Sequence, residues 1–172
     1  QAKNAAAAAF EQTLGILAVG AWQAAAWSRL AVRRVRHWGE VRRMAWNQLR
    51  VMVVEDHGFQ RRIAVRLLAE LGVKHVLEGA DGLHALAILR QQPTPPDVVL
   101  VDLDMPAMDG IECISYIAHE RLARAVAVVS ALDPALLNTV QTMACAYGLR
   151  VLGSVEKPLT RDKLEAVLNR FD

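Results

Sequence analysis

Four places in this chain carry groups able to do chemistry, each where an apolar run stops. Glu55-Asp56 follows Val51-Met52-Val53-Val54, and Asp102 follows Val98-Val99-Leu100-Val101. Ser130 follows Ala125 to Val129, and Lys157 lies two residues past Val155. In a parallel sheet all strand ends of one sense lie on the same edge, so these groups can converge although far apart in sequence. Three carboxylates brought together repel by roughly 4 kcal/mol per close pair at an effective dielectric near 20. A divalent cation resolves that conflict, and oxygen-only ligands with room for water favour magnesium or manganese over zinc. Such a cation also neutralises an incoming phosphoryl group. Lys157 can hold one phosphoryl oxygen as a point charge, and the Ser130 hydroxyl can donate to another. Asp102 is left as the nucleophile for an aspartyl-phosphate. Taken singly, a strand-ending serine is a turn former, a lysine is solvated and an acidic pair is an N-cap. Together they occupy four of five strand ends.

The elements that must position these groups are legible from Leu49 onward. Val98 to Val101 runs apolar without polar alternation, the pattern of a strand buried on both faces. Pro106 and Asp109-Gly110 then stop and turn the chain. Leu49 to Val54 is a first strand, followed by a helix from about Phe59 to Leu71 with Gly72 as C-cap. Val73 to Leu77 is a second strand and Gly82 to Arg90 a second helix, and a proline-rich loop over 91–96 leads into the central strand. A third helix spans about Ile111 to Arg121. A fourth strand over 125–130 leads to a helix opened by Asp133-Pro134 and closed at Gly148. Val151 to Val155 is the fifth strand, and Thr160 caps the last helix. Five strand–helix units with short right-handed crossovers predict a parallel sheet covered on both faces.

Residues 1–48 differ in kind. They carry seven basic and two acidic side chains, a net of +5, whereas 49–172 carry a net of −3. The mildly acidic folding part argues against nucleic acid as its partner. Ala5 to Trp27 is nearly apolar and is followed by six arginines, from Arg29 to Arg43. A membrane anchor, an amphipathic partner-binding helix and a non-native extension ahead of Met44 are the three readings of this stretch. Glu11 and Gln23, with Gly15 and Gly20, weigh against a membrane span. Cys113 and Cys145 fit no metal-ligand spacing and fall inside apolar helical patterns, as in a reduced, cytoplasmic protein.

From Leu49 to Asp172 the chain resembles the receiver domains of two-component response regulators. The resemblance rests on Val53-Val54-Glu55-Asp56, on Asp102 through Gly110, on Val129-Ser130-Ala131 and on Glu156-Lys157-Pro158. It implies a doubly wound α/β fold, flavodoxin-like, with five parallel strands in the order 2-1-3-4-5, and the helix-favouring composition of 1–48 places a helical extension ahead of it. Asp102 then accepts the phosphoryl group from a sensor histidine kinase or phosphotransfer protein. Asp56, Asp102 and the backbone carbonyl of Asp104 coordinate Mg2+ (or Mn2+), and Glu55 acts through water. Ser130 and Lys157 contact the phosphoryl oxygens, and a homodimer is one implied assembly. The family usually has an aromatic residue three positions before the lysine, where this chain has Ser154, so the signal is expected to leave through other contacts of the fourth helix and fifth strand. The wording of Tyr147 to Pro158 is similar to receivers joined to EAL-type cyclic-di-GMP phosphodiesterases, which places the output on a part outside these residues.

Two other functions stand beside the switch. Asp102-Leu103-Asp104 after an apolar strand mimics the nucleophile and acid pair of haloacid-dehalogenase phosphatases, although Pro106 stands where that family has threonine or valine. The second is an interaction module that keeps the fold without being phosphorylated.

Overall fold

The structure, a computed structural model, describes residues 46–130 and 134–171, and the readings placed on 1–45 lie outside the described residues. The described elements alternate without exception. They are β1 (Arg50–Val54), α1 (Gly58–Leu71), β2 (His75–Gly79), α2 (Gly82–Arg90), β3 (Val98–Asp102), α3 (Gly110–His119), β4 (Ala125–Val129), α4 (Pro134–Ala146), β5 (Arg150–Val155) and α5 (Arg161–Leu168). All pairings are parallel, in the order β2-β1-β3-β4-β5. This is the doubly wound order expected.

β3 and β4 are buried at every position because helices cover both sides of them. Alternate residues divide between two cores. Met52, Val54, Val99, Val101, Val126 and Val128 pack with Leu86 and Leu89 of α2, Ile114 and Ile117 of α3, and Val140 of α4. Val51, Val53, Val98, Leu100, Ala127 and Val129 pack on the other face with Leu68 and Leu71 of α1 and Leu164 and Leu168 of α5. Trp46, three residues ahead of the expected domain start, belongs to this second core at 4% exposure.

The second strand is displaced by two residues from its expected place. Gly72 takes φ 100° at the C-cap of α1, and the Val73 N–H donates to Leu68 O. That is the Schellman closure, with apolar Val73 packed back onto the helix end. Val73 is therefore buried as part of the cap, and the ladder starts only at His75. The fifth strand is interrupted. Val126 pairs with Val151 but Val128 pairs with Ser154, so Leu152-Gly153 form a bulge with Gly153 at φ 115°. Arg170 Nη1 donates to Leu152 O at 2.9 Å across that bulge. Ser154 is exposed.

Among the described residues no helix is long and apolar enough to cross a membrane. Cys113 is buried in the first core, whereas Cys145 is exposed.

Candidate functional site

Strand register brings the expected residues together. Val54 is opposite Val101 and Asp102 is opposite Val129, so Glu55 and Ser130 each stand one step beyond a ladder partner at the same edge as Asp102. The Ser130 N–H donates to Val155 O, which ties the end of β4 to the end of β5 just before Lys157. Asp102 is 2% exposed, and Glu55 and Ser130 are 4% exposed. Asp56 and Asp104 are exposed.

Lys157, 55 residues from Asp102, donates to its Oδ2 at 2.7 Å, and its ammonium is 3.0 Å from Glu55 Oε2. Glu55 Oε1 accepts from the His57 N–H at 3.2 Å, and Asp102 Oδ1 accepts from the Asp104 N–H at 3.3 Å. Each oxygen of the two buried carboxylates thus meets a donor, as burial of such groups requires. Burial pushes the Glu55 carboxyl up from its ordinary value, and the nearby Asp102 charge adds to that rise, while the Lys157 hydrogen bond pulls it back. For Lys157 burial works against the charged form, but hydrogen bonds and attraction from Asp102 and Glu55 outweigh it, and its pKa is raised.

The loop behind Asp102 is built for close approach. A Cβ on Gly110 would lie 2.2 Å from Asp102 O and 2.7 Å from Leu103 Cα, so only glycine lets α3 begin directly behind the strand. Asp109 caps that helix by accepting from the Glu112 N–H at 2.8 Å. Between Asp102 and Asp109, Ala107 takes φ 68° and the Met108 N–H donates to Pro106 O, a γ-type turn that returns Met108 to the core.

Glu55, Asp56 and Asp102 each offer one carboxylate oxygen, all within 4.8 Å of one another. These three side chains would supply oxygen ligands to a divalent cation, which would offset the charge they share. The donors are all hard oxygens, and with Lys157 as their shared cation two negative charges remain. Charge and donor type both fit a divalent hard cation.

One residue of this edge was not among those singled out in the sequence. Arg61, in the first turn of α1, donates from Nη1 to the Glu55 backbone oxygen at 2.7 Å and from Nε to Glu78 Oε2 at 3.3 Å. In sequence it is one of an adjacent arginine pair on a helix and looks solvated. Its position six residues past a strand-ending acid was the available signal.

Comparison with known proteins gives a consistent answer. The family model for the response regulator receiver domain matches residues 51–169. The chain is 34% identical over 126 residues to the cyclic di-GMP phosphodiesterase RocR of Pseudomonas aeruginosa, covering 73% of this chain and 32% of RocR. It thus spans about a third of that relative's length. It is 29% identical over 127 residues to the chemotaxis protein CheY-3 of Vibrio cholerae, covering 72% of this chain and 94% of CheY-3. The crystal structure of a CheX–CheY–BeF3–Mg2+ complex from Borrelia burgdorferi matches with a TM-score of 0.60 at 28% identity, covering 72% of this chain and 90% of that one. With the fold, the strand order and the family match in agreement, the chain belongs to the response regulator receiver domains.

Proposed function

We propose that this protein is a phosphoacceptor switch in which Asp102 takes a phosphoryl group from a histidine kinase or phosphotransfer protein. An Asp102 carboxylate oxygen forms the new O–P bond as the donor's N–P bond breaks, and the electron pair leaves with the imidazole nitrogen. The observation that carries this reading is the Lys157 ammonium shared between Asp102 at 2.7 Å and Glu55 at 3.0 Å at one sheet edge. Asp56, Asp102 and the Asp104 backbone carbonyl would hold Mg2+ or Mn2+, with Glu55 acting through water, and the bound cation would offset the charge of the phosphoryl oxygens. Ser130 donates to one phosphoryl oxygen and Lys157 pairs with another. Support comes also from the relative whose solved complex contains BeF3 and Mg2+.

Residues 49–172, with Trp46 packed into their second core, form the switch, and the residues ahead of Trp46 are an appendage to it. The similarity to a cyclic di-GMP phosphodiesterase supports an output of that class on a part outside these residues. The haloacid-dehalogenase reading needs the Asp104 carboxylate beside Asp102, but it is the Asp104 N–H that meets Asp102 while the residue is exposed. The test is incubation with acetyl phosphate and magnesium followed by intact mass spectrometry. One phosphoryl group is expected on the wild type and none on Asp102→Asn. Modification persisting in that variant overturns the assignment.

A further inference from the structure

Every polar group of Glu55 is held by a different element. Its N–H donates to Gly79 O at the end of β2, at 3.2 Å. Its carboxylate meets the His57 N–H and the Lys157 ammonium. Its backbone oxygen accepts from Arg61 Nη1 at 2.7 Å. The last contact differs from the others in where it acts. That oxygen belongs to the peptide joining Glu55 to Asp56, and a peptide is planar. Fixing the oxygen therefore fixes the plane that also contains the Asp56 nitrogen and Cα. Two neighbouring acids hang from that one plane. Asp56 is exposed, so its direction depends on its backbone more than on packing.

We propose that Arg61 is a positioning residue for the cation site, orienting the Glu55–Asp56 peptide so that both carboxylates face Asp102. This rests on the reading of Glu55, Asp56 and Asp102 as cation ligands. The guanidinium suits the task because its planar fork spans two acceptors in fixed geometry. One arm takes the Glu55 oxygen and the Nε arm takes Glu78 Oε2 on β2. The hydrogen bond to the Glu55 oxygen is partly buried, whereas the one to Glu78, a side chain 48% exposed, lies at the surface, so the arm that reaches the site is the sheltered one. Glu78 anchors the guanidinium, which aims at the turn. A lysine has one point charge and three rotating donors, so it can serve one acceptor but does not fix the angle between two.

Supporting groups of this kind change metal affinity by 10–100-fold when removed. The experiment is calorimetric titration of the full chain with magnesium chloride, for the wild type, Arg61→Ala, Arg61→Lys and Glu78→Gln. Thermal midpoints without magnesium are recorded for all four. The expected result is a magnesium Kd about 10-fold or more weaker in Arg61→Ala. Glu78→Gln should be affected less, and Arg61→Lys should recover part of the loss. A merely structural role for Arg61 would lower the thermal midpoint and leave Kd within about two-fold, and that outcome overturns the inference. If Arg61→Ala does not fold, Glu78→Gln and Arg61→Lys decide in the same way, since an unchanged Kd in both overturns it. Failure of the wild type to bind magnesium overturns the cation reading and this inference with it, whereas equal binding by wild type and variants overturns this inference alone.

Discussion

Two aspartates bracket β3, and the chain treats them in opposite ways. Asp97, just ahead of the strand, accepts from the Arg50 N–H at 2.9 Å and pairs with Arg124 Nη1 at 2.9 Å. Its own N–H and C=O bind Arg50 O and the Ala125 N–H. Around it Arg50 reaches Thr94 and Gln92, and Phe171 lies between the Arg124 and Arg150 guanidinium groups at 5.3 and 5.6 Å. That end of the sheet is closed, with cations in excess of the acid they meet. At the other end of the same strand Asp102 shares one ammonium with Glu55, and Asp56 is within ligand reach. The amino end joins strands and has no further demand. The carboxyl end keeps a deficit of positive charge, which on the proposed reading a divalent cation would fill.

The sharpest test is to remove each acid in turn. Asp102→Asn should lose all phosphoryl incorporation from acetyl phosphate, read by intact mass. Asp97→Asn should keep it. If both variants are modified, or neither is, the two ends do not differ as described. The next largest effect concerns Lys157. Removing the shared cation as Lys157→Met leaves two buried carboxylates facing each other. Breaking a fully buried pair costs about 3–5 kcal/mol, and the quarter exposure of Lys157 brings this to roughly 2–3 kcal/mol in urea unfolding without magnesium. Magnesium should return part of that loss, because it supplies the missing charge. For the wild type, magnesium at about 100 times its Kd should add roughly 2.7 kcal/mol. A variant whose stability ignores magnesium would show that the deficit is not a cation site.

How much of this contrast was legible beforehand depends on what each residue reports. Asp102, Glu55, Ser130 and Lys157 were readable because each ends an apolar run, and parallel topology alone brings such ends to one edge. Asp97 was readable only as the start of a strand, since its partners Arg50 and Arg124 lie 47 and 27 residues away and carry no pattern. Val73 reads as strand in the sequence because it is apolar, but a helix cap buries such a side chain equally well. The bulge at Gly153 had a signal, a glycine inside a strand pattern, and what it lacked was the partner, Arg170, which comes from beyond the last helix. Arg61 shows the same limit from the other side, because its acceptor at the site is a backbone oxygen and only its spacing from the strand-ending acid points to it.

A smaller effect is expected at the amino end. Arg124→Ala removes a pair whose arginine is 67% exposed, so it should cost about 0.2–1 kcal/mol and less in high salt. Urea midpoints at low and high ionic strength measure it. A salt-independent loss of several kcal/mol would mean that the closed end contributes more to stability than the carboxyl end.

The alkaline limb of stability separates the two ends last and least. Lys157 has a folded pKa raised above its ordinary 10.5, so the unfolded chain releases this proton first as pH rises. Its contribution is therefore full below pH 10.5 and is lost as pH passes the raised folded value. That decline belongs to the carboxyl end, where Lys157 sits. Cys113 responds in the same direction. Its ordinary value is 9.0, and burial, with smaller contributions from Asp81 and Glu112, pushes the thiol up to about 12. Its contribution is full below pH 9.0 and falls between 9.0 and about 12. The two are told apart by replacing one group at a time. Cys113→Ala should flatten the urea-derived stability curve from pH 9.0 upward and leave the Lys157 decline above 10.5. Lys157→Met in that background should flatten the remainder. A decline that survives both changes would have to come from groups other than these two, and the alkaline response would then say nothing about the shared cation.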